Sequence, residues 1–337
     1  MAEQILPWVE KYRPKTLDAV ISHKNAIDSL RLFVLNNCMP NLLLYGPPGT
    51  GKTSAALTCA KELYGDSIRY MMMELNASDD RGINIVRTKI KTFVSSNNLM
   101  CHANKFKLVI LDETDAMTGD AQAILRKIID KYINNARFIL ICNYIQNINP
   151  ALKSRCAQLR FPSLPIDDVV IKIREVSCAE NFIIDDKAIA ILYNITNGDM
   201  RKIINHLQSF IMIKTIKRDI SYDDLVDVLS YPTTSIINEI IKIIMENSFK
   251  DSFCKIQELK NEHSLQLMDL IKTVHEHIFN YIVTSKTDII ELHNINSDKF
   301  INIFDDLKSI EYNNSTIGND IIQLSAFIGI LYKLFRF

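Results

Sequence analysis

An excess of charge of either sign is missing from this 337-residue chain, in which Lys plus Arg and Asp plus Glu each total 39. A strongly basic protein attracts nucleic acid over its whole surface, so any such contact here must come from a local patch. Membrane-length hydrophobic runs are missing too. The longest, such as Leu108 to Leu111 and Phe138 to Cys142, fall far short of a bilayer, which excludes a helical span. The seven cysteines, at 38, 59, 101, 142, 156, 178 and 254, include no C-x-x-C pair. That argues against a zinc ribbon or a disulfide frame and for free thiols in a reducing compartment. The seven histidines suggest no metal site either, since His275 and His277, two apart, point away from each other on a helix. Met1 to Glu10 has neither the basic nor the apolar region of a secretory signal. Glycine is scarce, at nine residues, yet three of the nine fall between Gly46 and Gly51.

What is present is alternation. Leu42 to Tyr45 reads as a buried strand that runs into the glycine loop, and a helix follows from Lys52 to about Leu63. Further apolar runs at Met71 to Leu75, Lys107 to Leu111 and Phe138 to Cys142 alternate with helical patterns at Ile83 to Phe93 and Gln122 to Tyr132. Such a pattern predicts an α/β fold: a parallel sheet with helices on both faces. After Pro162 and Pro165 the pattern turns helical, at Asp168 to Cys178, Asp185 to Tyr193 and Met200 to Ile213. No convincing strand stands between Ile166 and Leu229, and Asp199 sits where an N-terminal cap is useful. Beyond Tyr231-Pro232, Ile236 to Met245, Leu265 to Val283, Lys299 to Ile310 and Asp320 to Phe337 are apolar at helical spacing. The length alone suggests two or three domains. Three are expected: 1–163 as the sheet domain, 164–230 as a helical lid and 231–337 as an all-helical domain.

Gly46-Pro47-Pro48-Gly49-Thr50-Gly51-Lys52-Thr53 fits G-x-x-x-x-G-K-[ST] between a strand and a helix. Its glycines let backbone N–H groups converge on phosphate oxygens, and the following helix adds its positive dipole end. Lys52 is placed to reach the β- and γ-phosphates and Thr53 to ligate Mg2+. The chain is therefore expected to bind ATP with Mg2+. At the end of the third run, Asp112 is placed to hold the metal through water, and Glu113 to polarise an attacking water. Asp115 reads as a helix cap or a surface charge. Asn143 ends the fourth run, where an amide can orient the water near the γ-phosphate; the plainer reading is a turn-forming Asn.

Together these residues resemble an AAA+ ATPase, and more narrowly the small subunits of replication factor C, the eukaryotic sliding-clamp loader. Pro7 to Pro14, Leu75 to Ile83 and Ser154-Arg155-Cys156 resemble boxes of that family, so the likeness covers nearly the whole chain. It implies that Val9, Tyr12, Arg13 and Ile21 border the adenine and ribose, and that Gly46 to Thr53, with Ser54, hold the nucleotide. It implies Asn143 as sensor of the γ-phosphate and Arg155 as an arginine finger acting in trans on a neighbour's ATP. Arg201 becomes a second sensor reaching back from the lid. One departure is Thr114, where relatives carry Ala after the Asp-Glu pair, and little effect is expected from it.

From Arg81 to Leu111 no acidic residue occurs, and the basic side chains include Arg81, Arg87 and Lys91. Alone, such a run is a solvated face more often than a DNA site. The resemblance makes it a surface for primer-template DNA, bound without regard to sequence, and makes Leu99 and Met100 contacts for the sliding clamp PCNA. It further implies a heteropentamer with other replication factor C subunits, held by the last domain, a nuclear location, and no membrane. Rival readings are a nucleotide-binding scaffold with little hydrolysis of its own, or another AAA+ remodelling enzyme. An unfoldase carries an aromatic pore loop after the second strand, and Asn76 to Arg81 has no aromatic residue.

Overall fold

The computed structural model describes residues 6–77, 83–96, 106–213, 219–284, 297–317 and 319–336. Two compact units divide the chain, Met1–Ile220 and Ser221–Phe337.

In the first unit, five strands form one sheet: β1 (Leu42–Tyr45), β2 (Met72–Asn76), β3 (Lys107–Asp112), β4 (Ala136–Cys142) and β5 (Ala157–Arg160). All pairings are parallel and the order is β2-β3-β4-β1-β5. Parallel neighbours require crossovers, which the helices supply. These are α2 (Lys52–Tyr64), α3 (Ile83–Ser95) and α4 (Gly119–Lys131), while α1 (Lys24–Leu35) precedes β1 and packs on the same sheet. Alternate residues of each strand feed two cores. Leu42, Leu44, Ile110, Ile139 and Ile141 meet Ile27, Leu30, Ala55 and Cys59 of α1 and α2 on one face. Leu43, Val109, Leu111, Phe138 and Leu140 meet Ile90, Leu125 and Ile129 of α3 and α4 on the other. Burial on both faces is why these strands are continuous apolar runs and not alternating ones.

After the sheet come α5 (Ile166–Glu180), α6 (Asp186–Thr196) and α7 (Met200–Ile213). Sequence periodicity finds no strand here, whereas the structure has β6 (Ile183–Ile184) paired in parallel with β7 (Asp219–Ile220). Two residues are too few for a period of two to register. Asp199 caps α7 as expected, its Oδ1 accepting from the N–H groups of Arg201 at 2.9 Å and Lys202 at 3.3 Å.

The second unit is helical throughout its described residues: α8 (Tyr222–Leu229), α9 (Thr234–Glu246), α10 (Phe249–Glu262), α11 (Leu267–Thr284), α12 (Ser297–Ile317) and α13 (Asp320–Arg336). Its core joins Ile237, Ile240 and Ile244 of α9, Leu270 and Val274 of α11, and Leu324, Phe327, Ile328 and Leu331 of α13. Length had to decide between helix and strand for these Ile-rich segments, and helices are what form. Helix α10 carries no apolar period that predicts it, because its buried stripe is short, with Ile256 and Leu259 amid charged residues. Ser248 caps it from below, accepting from the N–H of Asp251 at 3.3 Å.

Candidate nucleotide site

Strands β3, β4 and β1 lie side by side, so their carboxyl ends form one rim, the usual place for ligands in such sheets. The loop from Gly46 leaves β1 and enters α2 at Lys52. Gly46 and Gly49 are needed there for different reasons. A Cβ on Gly46 would lie 1.9 Å from the Phe161 carbonyl oxygen of the neighbouring strand end. One on Gly49, where φ is +71°, would lie 1.8 Å from Asp199 Oδ1, so the capped end of α7 rests directly on the loop.

Lys52 is 6% exposed, and its Nζ donates to the carbonyls of Gly46 and Pro47, both at 2.7 Å, and to Asn143 Oδ1 at 3.0 Å. Burial pulls its pKa down to about 8, with the Asp112 carboxylate opposing that fall. Thr53 Oγ1 donates to Asp112 Oδ2 at 2.7 Å, which brings two hard oxygen donors together on one wall. Glu113 follows in the left-handed region at φ +53°, exposed, with its N–H on Asp112 Oδ1 at 2.8 Å. Thr114 is fully buried, and its hydroxyl donates to the Leu111 carbonyl at 3.0 Å. The extra hydroxyl is thus spent on the strand end.

These groups face a cavity of about 480 Å³. Its lining contains Val9, Tyr12, Arg13 and Ile21, the loop from Pro48 through Gly49, Thr50, Gly51, Lys52 and Thr53 to Ser54, and Asp112, Glu113, Asn143 and Arg201. Gly46 and Pro47 take part through the carbonyls that hold Lys52. Glu74 and Lys172 also line it, and they belong to no sequence motif that would mark them.

Tyr12 reaches the cavity because its segment is tied to α5 and α7. Its hydroxyl and Lys11 Nζ both meet Glu180 Oε1, Trp8 stacks on Phe182 at 6.0 Å, and the Trp8 N–H donates to Gln208 Oε1 at 3.0 Å. His23, buried and with φ +57°, sets its Nε2 3.1 Å from the Thr50 carbonyl, so that nitrogen carries the proton. Burial lowers its pKa.

Arg155 is not part of this cavity lining. It sits on an exposed turn, its Nε donating to Asp130 Oδ1 at 2.6 Å and its Nη1 to the Ala151 carbonyl at 2.7 Å. The hydrogen bond to Asp130 raises its pKa. Lys91 is exposed on α3. Arg81, Leu99 and Met100 lie outside the described residues, as does the side chain of Arg87.

A parallel sheet with this loop, two carboxylates on the next-but-one strand and a helical cap beyond is the frame of an AAA+ ATPase. The model of the ATPase family associated with various cellular activities matches residues 42–164. The fold resembles the Thermotoga maritima RuvB Holliday junction branch migration motor, with a TM-score of 0.52 and 18% identity over 73% of this chain and 85% of that one. The Replication factor C C-terminal domain matches residues 232–329. A probable replication factor C subunit 5 of Dictyostelium discoideum is 40% identical over 96% of this chain and 90% of its own length. Replication factor C subunit 3 of Schizosaccharomyces pombe is 41% identical over 97% and 91%. The chain belongs to the replication factor C family of clamp-loader ATPase subunits.

Proposed function

We propose that this chain works as one subunit of a nuclear heteropentamer with other replication factor C subunits, which opens the sliding clamp PCNA and loads it on primer-template DNA. One observation carries the reading. Lys52, Thr53, Asp112, Glu113, Asn143 and Arg201 share a cavity, while Arg155 stands apart from it, free to serve another subunit's nucleotide.

In this reading Val9, Tyr12, Arg13 and Ile21 enclose the base and ribose, and the loop amides with Lys52 bind the triphosphate. Thr53 and Asp112 suit Mg2+, a hard cation that takes oxygen donors and keeps several waters. When bound, the metal neutralises charge on the β- and γ-phosphates. Glu113 accepts a proton from the attacking water, Asn143 orients that water, and Arg201 reaches the γ-phosphate from α7. The residues from 164 to 230 act as the lid and those from 231 to 337 as the collar that holds the ring. Arg81, Arg87 and Lys91 meet the DNA backbone, and Leu99 and Met100 meet the clamp.

The test is ATP turnover by the assembled complex with and without clamp and primed DNA. Stimulation by both is expected, and stimulation by unfolded protein instead overturns the reading. Clamp affinity after the joint change Leu99→Ala and Met100→Ala tests the contact, which falls if affinity is unchanged.

A further inference from the structure

We propose that Asp115 is a positioning residue for ATP hydrolysis, its carboxylate fixing the backbone that aims the Asn143 amide. The inference rests on the reading of Asn143 as the γ-phosphate sensor.

The need for such a group follows from sheet register. Strand β3 pairs with β4 as far as Leu111 opposite Leu140, and its last residue, Asp112, pairs only with Asn76 of β2. Asn143 and Tyr144 follow the end of β4. Their N–H groups lie past the last rung of that ladder and need acceptors from elsewhere. Asp115 Oδ2 accepts from both, from Asn143 at 3.1 Å and from Tyr144 at 3.0 Å.

The carboxylate is itself held by a stiff turn. Residues 114–116 form a single 3-10 turn, anchored by the Thr114 hydroxyl on the Leu111 carbonyl and closed by the N–H of Ala116 on the Glu113 carbonyl at 2.9 Å. That turn begins directly after Asp112 and Glu113. One short segment therefore carries the metal-side carboxylate, the base and the clamp on the sensor. On its free side the Asn143 amide accepts from Lys52 Nζ. A continuous line of hydrogen bonds thus runs from Asp115 through residue 143 to the phosphate-binding lysine. Asp115 is not among the residues lining the cavity, whereas Asn143 is, so Asp115 acts from behind the sensor without touching the nucleotide. Two N–H groups converging on one ionised oxygen make stronger and better-directed bonds than a neutral acceptor. Displacing a reacting group by about 1 Å can cost roughly a hundredfold in rate.

The experiment is a double-mutant cycle in the assembled complex, with Asp115→Ala, Asn143→Ala and both together, reading turnover at saturating ATP, KM for ATP, and nucleotide affinity of the chain. Asp115→Ala is expected to remove about the same share of turnover as Asn143→Ala, with affinity changed less than about threefold, and the double variant to remove no more. Asp115→Asn keeps an acceptor in place and is expected to recover part of the loss. Turnover losses that multiply in the double variant overturn the inference, as does a loss in Asp115→Ala seen in KM alone. If Asn143→Ala itself leaves turnover intact, the sensor reading fails and this inference with it.

Discussion

Two cations of the first unit, Lys52 in the loop and Arg155 on its exposed turn, are held in opposite ways. Lys52 is buried among neutral carbonyls and one amide oxygen, and burial pulls its pKa down to about 8. Arg155 is about a third exposed and paired with a carboxylate, which raises its pKa. A buried cation hydrogen-bonded only to neutral groups, with the nearby Asp112 carboxylate only partly offsetting its burial, gains from an added anion, as a bound triphosphate would be. An exposed ion pair is screened by water and contributes little, so Arg155 can exchange Asp130 for a more highly charged anion at small cost. One cation waits for the chain's own ligand. The other, in the proposed function, serves a neighbour's.

The sharpest way to break this contrast is Arg155→Ala. If Arg155 acts in trans as proposed, turnover at the neighbouring site should fall by about three to five orders of magnitude, while the isolated chain's own nucleotide affinity stays unchanged. A parallel fall in that affinity, measured by titration of the isolated chain, would put Arg155 in its own site. Lys52→Met should do the reverse. Charge-assisted contacts are worth about 1.5–3 kcal/mol each, so own-site affinity should fall by about a hundredfold or more. The same titration reads it.

Gly49→Ala sharpens the cavity side. The residue's φ of +71° and the 1.8 Å approach of Asp199 to a new Cβ require either a strained loop or a displaced α7. A stability loss of about 1–3 kcal/mol is expected, with weaker nucleotide binding. Denaturation with and without nucleotide separates the two, and an unchanged midpoint would refute the close contact.

The smallest effect concerns pH. Burial lowers the folded-state pKa of His23 below its ordinary 6.5, so on acidification the unfolded chain takes up this proton first. Its contribution is full above 6.5 and is lost as pH falls from there through the folded value. His23→Gln should flatten that acid limb in the unfolding curve of the first unit. A limb as steep as the wild type's would assign it to other groups.

Much of the first unit was legible because its signals are local. The strand–loop–helix at 42–64, the carboxylates ending β3 and the helix Met200–Ile213 are each written in consecutive residues. Strand β5, the pair β6 and β7, and α10 escaped because each is short or weakly apolar and depends on neighbours brought by the fold. Asp115 shows the same limit from the other side. Its sequence context suggested a cap or a surface charge, whereas its carboxylate spans 28 positions to Asn143.

By itself the sequence determined that a triphosphate site exists, which residue types build it and that helices follow, because backbone nests and apolar periods are short-range properties. Only the tertiary structure decided that Asp199 rests on Gly49, that Asp115 stands behind Asn143, and that Arg155 lies outside the cavity its own chain builds. Those relations depend on strand order and crossover direction, which place residues far apart in the chain within one hydrogen bond's reach.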